Sequence, residues 1–159
     1  MKKITLLITS FCMYAAFSQT SPKFDVIKLK NEGDYKAADS FALEAANILL
    51  STKIEKGITN RNEASVFLIK WMAGTPDYSF SPDAELVRGD ENLVEIYMAC
   101  LTKYCLENKS LAKNKKIVRL NSTRLFLNYC SNPNNNVSMN DHLKQLAEAN
   151  KKGELEKIL

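Results

Sequence analysis

The sequence predicts a single all-α domain of five to six helices, either a compact bundle or a short, repeat-like stack of helical hairpins, behind a cleaved N-terminal signal peptide. Three observations carry this expectation. Apolar residues recur at three- and four-residue spacing over several long windows. Five glycines and four prolines in 159 residues suit helices joined by short loops better than many-turned β architecture. Where one apolar run could be read as a strand, no second strand candidate exists to pair with it.

Residues 1–18 read as the signal peptide. Lys2 and Lys3 form a positive start, Ile4 to Phe17 is apolar or small, and Ala16 and Ser18 take the −3 and −1 positions before Gln19. A membrane-crossing helix needs about 20 apolar residues, whereas this run is shorter and broken by Thr5, Thr9 and Ser10. Cleavage after Ser18 is therefore expected, with Cys12 discarded and no stable membrane insertion afterwards. The Ser-Gln boundary resembles signal peptides of Gram-negative bacteria, which implies a secreted or periplasmic protein. The mature chain, 19–159, has 141 residues, enough for one core. Losing Lys2 and Lys3 lowers the net charge from +4 to about +2, which removes the charge argument for a nucleic-acid partner.

Phe24 to Lys30 is expected to form a short helix closed by Gly33. Asp34 then caps a firmer helix in which Ala38, Phe41, Ala42, Ala45 and Leu49 share one face down to about Ser51. Beyond a connector containing Gly57, Asn60 and Glu63 are placed like a cap and its N3 partner. The nearly continuous apolar run from Ala64 to Met72 reads as a buried helix, stopped by Gly74-Thr75-Pro76. Thr75 to Gly89 is the longest irregular segment. Asp90 caps a helix whose stripe is Leu93, Tyr97, Cys100, Leu101 and Tyr104, ending near Asn108. A basic connector leads to a helix that starts near Lys116, is marked by Val118, Leu125, Phe126, Tyr129 and Cys130, and ends before the loop Asn132-Pro133-Asn134-Asn135-Asn136. Ser138 or Asn140 starts the next helix, carrying Met139, Leu143, Leu146 and Ala147, and Leu155, Ile158 and Leu159 suggest a last short turn after Gly153.

Within residues 24–50, Gly33-Asp34-Tyr35-Lys36-Ala37-Ala38 with Phe41, Ala42 and Ala45 resembles the second half of a tetratricopeptide repeat. In that family a glycine turn precedes an aromatic, and small alanines let two helices approach closely. The resemblance implies repeat-like helical packing. The first-helix Trp and Leu-Gly pair of the family are missing, and no second copy occurs at a 34-residue period. As a whole the chain resembles small secreted bacterial helical proteins.

Candidate chemistry is sparse. Export makes disulfides chemically available to the mature cysteines Cys100, Cys105 and Cys130. On one helix, Cys100 and Cys105 point in different directions. In a hairpin, Cys130 lies some six residues further from the turn than Cys100, an offset of about 9 Å against a limit of about 7 Å between bridged Cα atoms. All three are expected as free thiols. His142 is the only histidine, so a histidine-based metal site cannot be assembled, and no cofactor is implied.

Charge is unevenly distributed. Asp77 to Glu95 holds six acids and one base, Arg88, whereas Asn108 to Asn140 holds Lys109, Lys113, Lys115, Lys116, Arg119 and Arg124 with no acid. The basic stretch is either a patch for an anionic partner or a solvated face with partial pairing to the acids. Trp71, Tyr78 and Phe80 straddle the proline-bearing loop and either contact a ligand or fold back over the bundle.

The leading expectation is a non-enzymatic module that binds a protein or peptide through the Thr75–Gly89 loop and neighbouring helices, with Trp71, Tyr78, Phe80, Lys113, Lys115, Lys116 and Arg119 as the candidate binding residues. One alternative is a periplasmic inhibitor or immunity protein. Another is an enzyme using a cysteine or clustered carboxylates, which requires Asp83, Glu85, Asp90 and Glu91 to converge in a cleft.

Overall fold

Asparagine and aspartate side chains set most of the helix starts. The computed structural model describes residues 23–55 and 57–159, so the signal peptide read over residues 1–18 lies outside the described residues. Among the described residues there are seven α-helices and no strand: α1 (Glu32–Ala37), α2 (Asp39–Ser51), α3 (Thr59–Gly74), α4 (Ala84–Val87), α5 (Glu91–Glu107), α6 (Lys115–Ser131) and α7 (Asp141–Lys151). Short 3-10 turns occupy Phe24–Val26, Pro133–Asn135 and Leu155–Lys157. The side chains of Asn31, Asp83, Asp90, Asn114 and Asn140 accept hydrogen bonds from main-chain amides of the first turns of α1, α4, α5, α6 and α7. Gly153, at φ 73°, closes α7: its amide reaches the Asn150 carbonyl while that of Glu154 reaches Ala149 at 2.8 Å.

Several boundaries differ from the sequence expectation. The segment after Lys23 makes only a 3-10 turn before running extended, and Gly33 sits inside α1 rather than closing a preceding helix. The cap is Asn31, which receives the Asp34 amide, while the Asp34 carboxylate receives the Lys30 amide at 3.0 Å. The helix expected to run unbroken to Ser51 is split at Ala38. The Trp71 indole N–H donates to the Tyr35 carbonyl at 3.0 Å, and that carbonyl is the acceptor an unbroken helix would offer to the Asp39 amide. The third helix begins at Thr59, behind Ile58, so Asn60 lies in its first turn and not at the cap. It is also not buried throughout, since Val66 is 70% and Ile69 57% exposed. Finally, α4 forms within the segment read as irregular.

The helices pack in the order α3, α2, α5, α6, α7, with α3 also touching α5. Ala42, Ala45, Ala46 and Leu49 of α2 are fully buried between α3 and α5, and the small side chains let the three backbones come close. The central helix α5 serves two cores. Ala99 and Leu106 face α2 and α3, while Leu93, Tyr97, Cys100, Leu101 and Cys105 face α4, α6 and α7. Tyr97 meets Phe126 edge-on at 5.5 Å between ring centroids. The asparagine loop is a clasp: Asn135 accepts the Ile54 amide and donates to the Tyr129 carbonyl, and the Tyr129 hydroxyl donates to the Thr52 carbonyl at 2.7 Å. No helix among the described residues is long and apolar enough to cross a membrane.

Candidate ligand cleft

After α3, residues 75–83 form no helix or strand: the chain bends at Pro76 and Asp77, and Thr75 and Asp83 at its ends are extended. The aromatics of this segment fold back. Tyr78 and Phe80 each lie 5.8 Å from the Trp71 ring and 5.9 Å from one another, and together they cover the seam between the two cores. Trp71 has no exposed surface, which removes it from the candidate binding residues: it is the floor on which the loop is seated. Burial, and next the Asp39 carboxylate, raise the Tyr78 phenol above its ordinary pKa. Gly74 lets Tyr35 approach closely, since a Cβ at that position would lie 2.1 Å from the Tyr35 ring and force it to shift.

From Ser79 onward the segment forms one wall of a cleft of about 470 Å3. Ser79, Ser81, Asp83 and Glu85 line that wall, Lys115 and Arg119 of α6 face them, and Tyr97, Leu101 and Val118 make the floor. The Arg119 guanidinium grips Asp83 through Nε at 2.8 Å and Nη2 at 2.7 Å, and its Nη1 donates to the carbonyl of Leu159. This joins the loop, α6 and the C-terminal turn. Burial raises the Tyr97 phenol above its ordinary pKa, with Asp83 adding to the effect and Thr123 and Arg119 opposing it, so the floor keeps a neutral hydroxyl. Among the described residues, residues 77–82 make no main-chain hydrogen bond. Of these residues Ser79, Ser81 and Pro82 line the cleft, so the amides of the two serines and three carbonyls lie there without a main-chain partner.

The remaining candidates disperse. Lys116 turns to Glu156 at 3.0 Å, and Lys113 stands exposed on the connector between α5 and α6. Asp77 pairs with Lys36 at 3.7 Å, and Lys109 of the basic connector reaches Asp39 at 2.7 Å. The four carboxylates required for an enzyme do not converge: Asp83 and Glu85 line this cleft, Asp90 caps α5, and Glu91 lines a different groove. Asp83 is moreover held by Arg119. Cys100, Cys105 and Cys130 are buried free thiols, and burial pushes Cys105 up to about 11 and Cys130 up to about 12, which leaves them protonated and poorly nucleophilic. His142 belongs to α7, which contributes no residue to the cleft. No group of three or more His, Cys, Asp or Glu side chains among the described residues could hold a metal ion.

Sequence reasoning picked out Lys115 and Arg119 from the basic run and missed the floor. Tyr97, Leu101 and Val118 lie on apolar helical faces, and periodicity does not say which stretch of such a face borders a cleft. No family model, curated protein or solved structure matches the chain.

Proposed function

We propose that the chain is an exported, non-enzymatic module that binds an extended peptide in the cleft between residues 79–85 and α6. The observation that carries this reading is the unpaired main chain of Ser79, Ser81 and Pro82 beside an apolar floor. An extended peptide adds to such an edge through its own amides and carbonyls, while alternate side chains enter a pocket. Here one side chain would rest on Tyr97, Leu101 and Val118, and Lys115, which has no partner among the described residues, would receive a carboxylate of the ligand. Export rests on the leader read over residues 1–18 and predicts a mature N-terminus at Gln19.

The test is selection from a displayed heptapeptide library, followed by titration calorimetry of the selected sequence. Ser81→Pro, which removes one edge amide, and Lys115→Glu should each weaken binding by about tenfold or more with unchanged helicity. N-methylation of alternate peptide amides should do the same. Selection of no peptide, or binding indifferent to both substitutions, would end this reading.

A further inference from the structure

A second surface lies along α3, and it shares no lining residue with the cleft. Val66 and Ile69 project from α3 into solvent, 70% and 57% exposed, although the same helix fully buries Trp71 and nearly buries Leu68. Two β-branched residues on an open helical face contribute little to helix formation and nothing to the core, so the fold gives no reason for them. They crown a ridge. On one side, Ile69 borders a groove of about 680 Å3 whose other apolar walls are Ile54, Val94 and Met98. On the other, Val66 borders a groove of about 330 Å3 formed with Phe24, Ile27 and Phe67.

The charges around these grooves have one predominant sign. Glu55, Glu91 and Glu95 line the larger and Asp25 and Glu63 the smaller, against Arg61 and Lys70. Arg61 offers no free charge: its guanidinium is 4% exposed and held by Glu95, the Leu49 carbonyl and Thr52. Glu55 is matched by Lys53 at 2.7 Å, while Asp25, Glu63 and Glu91 have no cationic partner among the described residues, three open carboxylates against the one open ammonium of Lys70. An apolar ridge with an anionic border has therefore been set apart in a chain whose net charge is +4.

We propose that this face docks a cationic amphipathic helix of a partner protein. Apolar side chains spaced at three and four residues would straddle Val66 and Ile69 and enter the two grooves, and Lys or Arg on its flanks would meet Glu91 and Glu63. The groove-lining stretch of α3, Arg61 to Lys70, offers a track of about 15 Å at 1.5 Å per residue, the length of about three turns of a partner helix. Anionic bilayers are disfavoured by the same carboxylates. The surface is separate from the Ser79–Arg119 cleft, so either can fail without the other.

The experiment titrates the full chain, and the same chain lacking residues 1–18, into a fluorescent 18-residue Leu/Lys amphipathic peptide, with a Leu/Glu peptide of identical pattern as control. The Leu/Lys peptide should bind saturably to both chains, at least tenfold more tightly than the control, and weaken on raising salt from about 0.05 to 0.5 M. Val66→Asp, Ile69→Asp and Glu91→Lys should each cost about tenfold or more while leaving the thermal melt in place, since all three positions are exposed. Equal binding of the two peptides, or binding indifferent to Val66→Asp and Ile69→Asp, overturns the proposal. So do three other outcomes: self-association abolished by Val66→Asp with no peptide binding, which assigns the face to a second copy; peptide binding only after residues 1–18 are removed, which assigns it to the chain's own leader; and binding to phosphatidylglycerol vesicles in place of the peptide.

Discussion

Arg61→Met tests the most concentrated polar arrangement in the fold. The guanidinium Nη1 donates to the Leu49 carbonyl at 3.0 Å and to the Thr52 carbonyl and hydroxyl at 3.3 and 3.2 Å, and Nη2 meets the Glu95 carboxylate. The Leu49 carbonyl belongs to the last turn of α2, where no intrahelical amide is left to satisfy it, so Arg61 acts as a cap from a neighbouring helix. Methionine fills the same space and offers no donor. It strands the Leu49 carbonyl and the Glu95 carboxylate, whereas Thr52 keeps the Tyr129 hydroxyl. Removing one partner of a buried ion pair costs about 3–5 kcal/mol. Glu95 retains 17% of its side-chain surface in solvent, which places the effect at the lower end of that range, about 3 kcal/mol. At roughly 3 °C per kcal/mol for a chain of this size, the melting temperature should fall by about 9 °C. Adding Glu95→Met removes the stranded charge and should return about half of the loss, a coupling that a double-mutant cycle in urea measures directly. A single-variant loss under about 1 kcal/mol, or strictly additive losses, would refute the account of Arg61 as a buried tie between α2, α3 and α5.

Gly74→Ala should cost about 1–3 kcal/mol in urea denaturation, because the added methyl enters the Tyr35 ring, and Tyr35→Ala in the same chain should remove most of that penalty. Asp90→Ala takes away the acceptor for the Asn92 and Leu93 amides at 2.9 and 3.3 Å and should lower stability by about 1 kcal/mol by the same measurement. The buried thiols should resist iodoacetamide in native protein and give three modified cysteines in the chain lacking residues 1–18 after denaturation, read by mass. Their folded pKa values lie above the unfolded value of about 9, so the folded state binds the extra protons. That contribution is complete below about pH 9 and is lost as pH rises through about 11 and 12, so urea midpoints should fall between pH 8.5 and 10.5. Stability that rose over this interval would contradict the burial of Cys105 and Cys130.

By itself the sequence determined what depends on neighbours a few residues away. The helical spacing of Leu93, Tyr97, Cys100 and Leu101, the cap Asp90, a helix start at Ser138 or Asn140, and a last turn after Gly153 were legible, because capping and periodicity are satisfied within one or two turns. The all-α class followed from them. Only the tertiary structure decided what depends on remote partners. The break at Ala38 goes with an indole 36 residues beyond Tyr35, and the apolar run of α3 divides into a buried face and the open ridge of Val66 and Ile69 according to where α2 and α5 lie. Lys115 and Arg119 stood out as charges in the chain, yet it is the segment opposite them, residues 79–85, that makes a cleft, while Lys116 turns to Glu156 and Trp71 sinks beneath the loop. Apolar periodicity records that a face leaves water, and the packing of the whole chain decides what covers it.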